Sequence, residues 1–181
     1  MNGILLLAEG FETVEALCTL DVLKRSHKFN LKTVSITDNP EVISSANVTV
    51  KADALLKEIH IEDYDFVILP GGKKGVDNLK NSPEVLEIIR YFLDNGKDVH
   101  AICAAPSILG GLGYLDGLRY TCFPGFQTGN GEYGDTGVVE TPHIITGHSM
   151  GYSLDFGKTI IRHYYGEDAV TAILPGVLGL A

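Results

Sequence analysis

The stretch DVHAICAAPSIL, residues 98–109, joins a strand pattern directly to a helix pattern. Its first five residues are typical of a short buried strand, and the residues after Cys103 are typical of the opening of a helix. Strands followed at once by helices build α/β proteins, whose functional sites lie at the carboxyl ends of the strands. The stretch therefore predicts an α/β fold with Cys103 at that edge of a sheet.

The rest of the chain repeats this alternation of strand-like and helix-like patterns. Ser82 and Pro83 suit the N-cap and first position of a helix, and Asn95-Gly96 is a matching stop signal. Continuous apolar strands are typical of a parallel sheet covered on both faces. We predict one doubly wound α/β sandwich, a single domain over residues 1–181. The predicted strands are residues 3–8, 31–37, 65–69, 99–102 and 143–146, and the predicted helices include residues 12–26, about 153–165 and one from near 167.

Residues 118–146 are rich in glycine, threonine and aromatic residues and interrupt the alternation. Residues 138–140 are expected to pair with residues 144–145, and turn signals stand at 130–131 and 134–135. We predict a small antiparallel excursion at one edge of the sheet. The glycine spacing matches no phosphate-binding fingerprint, and turns account for these glycines.

The composition narrows the expected partners and compartment. The net charge is −9 and no basic stripe is present, so we expect no nucleic-acid partner and no attraction to anionic membranes. The apolar start is too short for a signal peptide, and no apolar run is long enough to span a bilayer. Cys18, Cys103 and Cys122 suggest neither a disulfide framework nor a metal site. We expect a cytoplasmic protein with free thiols and no metal or organic cofactor.

Cys103 is the first candidate site residue. Unpaired N–H groups and the positive dipole end of a helix favour the thiolate, which is the reactive form of cysteine. The alternative is an inert core residue, because cysteine often packs as a small hydrophobe.

Glu15 is the second candidate. It shares a helical stripe with Phe11, Cys18 and Val22, so its carboxyl group lies among apolar residues. A buried carboxylate without a partner is unfavourable, and such a group becomes protonated or finds a donor. The alternative is a solvated helix flank. The first helix starts at the carboxyl end of the first strand, at the edge where Cys103 is expected.

Gly71 and Gly72 follow the strand 65–69 and are expected at the same edge. Glycine allows unusual dihedral angles and close backbone approach. The N–H groups of Gly71 and Gly72, together with that of Ala104, are candidates for an oxyanion hole beside the thiol. The alternative is a simple tight turn.

These motifs together resemble the ThiJ/PfpI family of the class I glutamine amidotransferase-like superfamily, in the branch of the Parkinsonism-associated protein and its bacterial relatives. The resemblance covers nearly the whole chain. It is carried by residues 8–16, with Glu15 on the family's glutamate, and by residues 69–72, 101–106 and 146–151.

The resemblance implies a flavodoxin-like three-layer fold, a homodimer and a nucleophile-elbow cysteine that is easily oxidised. Activities attributed to the family include glyoxalase-type conversion of methylglyoxal, deglycation, peptidase and chaperone activity, and redox sensing under oxidative stress. The family alone does not choose among them.

Two positions depart from relatives. Peptidase-like and larger glyoxalase branches have His directly after the cysteine, where this chain has Ala104. Some close relatives have His where this chain has Phe123. His148 falls where relatives often have Arg and is a third catalytic candidate, if it reaches the thiol. His100 is expected to be a structural residue.

Three interpretations remain open. In the first, the Cys103 thiolate attacks a small reactive carbonyl, and Glu15 moves protons. In the second, Cys103 is oxidised in a redox-sensing or chaperone-like protein without true turnover. The third, an intracellular cysteine peptidase or amidase, ranks last because Ala104 and Phe123 supply no base.

Overall fold

A computed structural model of the chain describes residues 1–180. Its centre is a seven-stranded sheet with the order β10-β11-β7-β6-β1-β2-β5. All neighbouring strands of this sheet run parallel, except that the edge strand β10 runs antiparallel to β11. The strands are β1 (Asn2–Leu7), β2 (Asn30–Ser35), β3 (Glu41–Ile43), β4 (Thr49–Lys51), β5 (Ala54–Leu55), β6 (Phe66–Leu69), β7 (Asp98–Ile102), β8 (Arg119–Tyr120), β9 (Glu132–Tyr133), β10 (Val138–Glu140) and β11 (Ile144–Gly147).

The helices cover both faces of this sheet. Along β1, the side chains of Leu5 and Leu7 join one core and those of Ile4 and Leu6 join the other, as expected for alternating sides of a strand. One core lies under α1 and α5, and the other lies under α3 and α4. The helices are α1 (Thr13–Arg25), α2 (Lys73–Lys80), α3 (Pro83–Asp94), α4 (Pro106–Gly111) and α5 (Ser153–Leu178). The predicted three-layer α/β fold with a mainly parallel sheet is confirmed.

Local signals explain several helix ends. The Ser82 hydroxyl accepts a hydrogen bond from the Val85 N–H (3.3 Å), and Pro83 begins α3 as predicted. Gly166 breaks the last helix with φ 77° and ψ 178°, where the sequence predicts two helices. The antiparallel edge is confirmed as the β10–β11 pair.

Other elements differ from the prediction. β3 and β4 form an antiparallel hairpin outside the main sheet, and α2 follows the glycine turn; neither the hairpin nor α2 is predicted from the sequence pattern. Within the predicted excursion, β8 and β9 pair in parallel rather than antiparallel. Among residues 1–180, no helix is both long and apolar enough to cross a membrane.

Candidate active site

Cys103 occupies a strained position directly after β7. Its φ is 65°, in the left-handed region that residues other than glycine rarely adopt, at a cost of roughly 1–3 kcal/mol. Two backbone hydrogen bonds hold it there: its N–H donates to the Gly147 carbonyl (2.8 Å), and its carbonyl accepts from the Phe123 N–H (2.8 Å). The neighbouring segments therefore impose this conformation and present the partly buried thiol at the carboxyl end of the strand.

Glu15 reaches the same point from α1. Its side chain is 1% exposed, and its Oε2 accepts a hydrogen bond from the Gly71 N–H (2.9 Å). The carboxylate also accepts a hydrogen bond from the Cys103 thiol. Burial, helped by the nearby charge of Glu12, raises the pKa of Glu15 to about 7, while these two hydrogen bonds act in the opposite direction. Glu15 is therefore poised to gain or lose a proton near neutral pH.

The resting thiol differs from the sequence-based expectation. The N–H groups of Gly72 and Ala104 do bond the sulfur and lower its pKa. Burial and the adjacent Glu15 carboxylate outweigh them and raise the pKa of Cys103 to about 12. The shift of the Cys103 pKa is therefore opposite in direction to the one that the helix start predicts.

The three predicted backbone donors divide into two roles. The N–H groups of Gly72 and Ala104 face the thiol, whereas the Gly71 N–H is engaged by Glu15. Gly71 is therefore a support for the carboxylate and not an oxyanion donor. A Cβ on Gly71 would overlap Glu15 Oε2 and lie 2.6 Å from the Cys103 Cβ, so this close approach requires glycine.

The ring nitrogens of His148 and His100 make their contacts away from the Cys103 thiol. The two ring nitrogens of His148 face Ser149 Oγ (3.2 Å) and Asp135 Oδ1 (3.1 Å) rather than Cys103. His100 is fully buried on β7 and its Nε2 contacts the Tyr164 hydroxyl (3.0 Å), which fits its expected structural role. The catalytic contribution suggested for His148 is thus unsupported by its ring contacts.

The other two cysteines lie in different surroundings. Cys122 is fully buried, and its thiol contacts the Phe123 carbonyl (3.4 Å). Cys18 is partly exposed on α1. Burial raises the pKa of both thiols, to about 11 for Cys122. Cys103 differs from them in its hydrogen bond to the buried Glu15 carboxylate, which can take the thiol proton.

Glu12 also contributes to the site, and the sequence pattern does not predict this. The structure makes it the N-cap of α1, with its carboxylate accepting from the Glu15 backbone N–H (2.6 Å). Glutamate is not among the usual N-cap residues, so the sequence alone gives no signal for this role.

Comparisons with known proteins identify the family of the chain. A family model described as the DJ-1/PfpI family matches residues 3–163. Protein DJ-1alpha of Drosophila melanogaster is 31% identical over 182 residues, covering 98% of this chain and 83% of that protein. A Caenorhabditis elegans protein, Glutathione-independent glyoxalase DJR-1.2, is 28% identical over 174 residues, covering 94% and 92%. Protein DJ-1 homolog B of Arabidopsis thaliana is 31% identical, but this chain spans 37% of its length.

Solved structures give the same result. A DJ-1 superfamily protein from Salmonella typhimurium has a TM-score of 0.91 at 32% identity, with 98% of this chain and 97% of that chain covered. Toxoplasma gondii DJ-1, described as oxidized, has a TM-score of 0.89 at 25% identity, with the same coverage.

Proposed function

Because the chain belongs to the DJ-1/PfpI family, we propose that it is a cysteine-dependent, glyoxalase-like enzyme for small reactive carbonyls. The observation that carries this proposal is the contact of the Cys103 thiol with a buried Glu15 whose pKa is about 7. A proton acceptor with a pKa near working pH is what general acid–base catalysis requires. The Caenorhabditis elegans relative named as a glutathione-independent glyoxalase supports the same reaction class.

In the first step, Cys103 adds to the aldehyde carbon of methylglyoxal. As the carbon–sulfur bond forms, the thiol proton moves to the Glu15 carboxylate along the existing hydrogen bond. The electron pair of the C=O bond moves to oxygen, and the N–H groups of Gly72 and Ala104 stabilise that developing charge. Glu15 then returns its proton to this oxygen, which completes a hemithioacetal.

In the second step, the proton on the former aldehyde carbon moves to the neighbouring carbon. Glu15 removes it while a water gives a proton to the ketone oxygen, and an enediol forms. Glu15 then delivers its proton to the neighbouring carbon, and the hydroxyl group on the sulfur-bearing carbon releases its proton to the hydroxide left by that water, which gives a lactoyl thioester on Cys103. Water then attacks the thioester carbonyl, which releases lactate and restores the thiol. The sum is methylglyoxal plus water giving lactate, so the step needs no oxidant and no external thiol.

The test is lactate formation from methylglyoxal in buffer without thiols. We expect wild type and Cys122→Ser to form lactate and Cys103→Ser to form none, because Cys122 is buried apart from the proton-moving group. Wild type that consumes no methylglyoxal, or Cys103→Ser that matches wild type, would overturn the proposal.

A redox-sensing or chaperone-like role is the second candidate. Glu15 Oε1 is buried without a hydrogen-bond partner among residues 1–180, so it is placed to pair with an oxygen added to sulfur. The relative from Toxoplasma gondii described as oxidized supports this candidate. If this role holds, mild peroxide adds two oxygens to Cys103 while turnover stays negligible, and intact-mass measurement of Cys103→Ser serves as the control. The peptidase interpretation has less support, because His148 faces Asp135 and Ser149.

We also propose a homodimer through α1 and the β3–β4 hairpin. Thr13 Oγ1 donates to Ser44 Oγ (2.8 Å) and joins these elements, while Val14, Ile43 and Val48 are each about 45% exposed on them. Exposed apolar side chains in one region are typical of a contact surface. Sedimentation equilibrium should give a dimer for wild type and a monomer for Ile43→Asp; a monomeric wild type at micromolar concentration contradicts this assembly. The cytoplasmic location stays a prediction.

A further inference from the structure

Glu12 is bonded to both pieces of backbone that hold Glu15 in the site. Its N–H donates to the Gly71 carbonyl (2.9 Å), and the Gly71 N–H in turn donates to the Glu15 carboxylate. Its own carboxylate accepts from the backbone N–H of Glu15 (2.6 Å). One residue therefore ties the turn after β6, through its backbone N–H, to the first turn of α1, through its carboxylate.

An N-cap does not require the negative charge that Glu12 brings to this position. A neutral serine or threonine satisfies an exposed helix N–H at least as well as glutamate. Glu12 adds a negative charge three positions before Glu15, and residues at this spacing are neighbours on a helix. The charge acts on a carboxyl group that is 1% exposed, where water screens it poorly.

The pKa of the Glu15 carboxyl group is therefore set by influences that act in opposite directions. Burial and the charge of Glu12 raise its pKa, and the hydrogen bonds from Cys103 and Gly71 lower it. Cys103 comes from the turn after β7, Gly71 from the turn after β6, and Glu12 from the same helix as Glu15. Glu12 is thus the titratable neighbour that works in the same direction as burial.

We propose that Glu12 is a positioning residue of this site: its carboxylate fixes the Glu15 backbone and places a negative charge next to the carboxyl group that faces the Cys103 thiol. Glu12 acts through Glu15, because its carboxylate bonds the Glu15 backbone and its N–H bonds the Gly71 carbonyl. The catalytic consequence rests on the proposed function, whereas the effect on Glu15 does not.

The direct test is a carboxyl carbon NMR titration of protein labelled on glutamate, with the Glu15 signal assigned by Glu15→Gln. Glu12→Gln keeps an oxygen for the cap and removes the charge, and we expect the Glu15 midpoint to fall by roughly 0.5–1.5 pH units. Glu12→Asp keeps both cap and charge and should hold the midpoint near that of wild type. Glu12→Ser, a preferred neutral cap, replaces Glu12→Gln if the amide variant does not fold.

Glu9→Gln is the matched control, because it removes one negative charge from the preceding loop. Its Oε1 accepts from the Ile43 N–H (3.2 Å) rather than from α1, so the Glu15 midpoint should stay in place. A midpoint unchanged in both neutral Glu12 variants, or moved equally by Glu9→Gln, would overturn the proposal.

The catalytic readout is the acidic limb of kcat/KM against pH. Since Glu15 must be ionised to accept the thiol proton, this limb should move to lower pH in Glu12→Gln by the same amount as the NMR midpoint. If the NMR midpoint of Glu15 moves but the acidic limb of kcat/KM does not, Glu12 does not affect catalysis through Glu15. If wild type has no turnover, the proposed function fails, and the NMR titration still decides the role of Glu12.

Discussion

The buried carboxyl of Glu15 should make the protein less stable as the pH rises through neutrality. Its pKa is raised from an ordinary value of 4.5 to about 7, so the native state binds more protons than the unfolded state between these values. Stability is then present below pH 4.5 and is lost as the pH approaches 7. At about 1.36 kcal/mol for each pH unit, the full loss is roughly 3 kcal/mol.

Glu15→Gln tests this magnitude, because glutamine keeps the shape of the protonated acid and cannot ionise. We expect the variant to exceed wild type in free energy of unfolding by about 2–3 kcal/mol at pH 8 and by less than about 1 kcal/mol at pH 5. Urea unfolding of both proteins at the two pH values measures the difference. Glu87→Gln, at an exposed position on α3, is the control and should show no such pH-dependent gain.

The reasoning is refuted if Glu15→Gln is less stable than wild type at pH 8, or if its advantage is equal at the two pH values. In either case burial would not be the dominant influence on the carboxyl group. The expected result would also mean that Glu15 is retained at a cost to stability, which is typical of residues kept for chemistry.

Three further predictions concern the same molecule. Iodoacetamide should alkylate Cys103 several-fold faster in Glu15→Gln than in wild type at pH 9, since the negative charge that helps to raise the pKa of the thiol is gone; an equal or slower rate contradicts that cause. Gly71→Ala should reduce the rate of lactate formation by at least about 100-fold, because the added Cβ displaces Glu15. Gly111→Ala is the control: its Cβ meets nothing within 4 Å, so the rate should stay within about 2-fold of wild type, and equal effects of the two substitutions would refute the steric argument. Burial lowers the pKa of His100 from 6.5 to about 3, so His100 should cost wild type roughly 2 kcal/mol more at pH 4 than at pH 6, against the opposite effect of Glu15. The free energy of unfolding of His100→Gln, measured in urea, should therefore gain on that of wild type by about this amount between pH 6 and pH 4; an equal difference at the two pH values would exclude His100 as the cause.

The sequence predicts the central strands well because their apolar runs are long and continuous. β1, β2, β6, β7 and β11 lie within one or two residues of the predicted runs. The three-residue strands β3 and β4 are too short to produce a periodic pattern, and they exist through their pairing with each other. α2 escapes notice because Lys73–Lys80 is largely polar and contains Gly75.

The candidate site is predicted in its parts but not in its proton arrangement. Helical spacing places Glu15 in an apolar stripe, and chain order places Cys103 at the same sheet edge. Nothing in the sequence indicates the positive φ of Cys103, because it is imposed by hydrogen bonds to Gly147 and Phe123, which are distant along the chain. The balance between burial, which raises the pKa of Cys103, and two N–H donors, which lower it, likewise depends on three-dimensional packing.

The central claim is that Glu15 moves the proton of Cys103 during catalysis. The rate of lactate formation by Glu15→Gln at pH 7 tests it most directly. The thiol of this variant should be at least as reactive toward alkylation as that of wild type, so a poorer nucleophile would not explain a loss of turnover. We predict a rate of lactate formation at least about 100-fold below that of wild type. A rate within a few-fold of wild type would contradict the claim and move the proton transfer to another group.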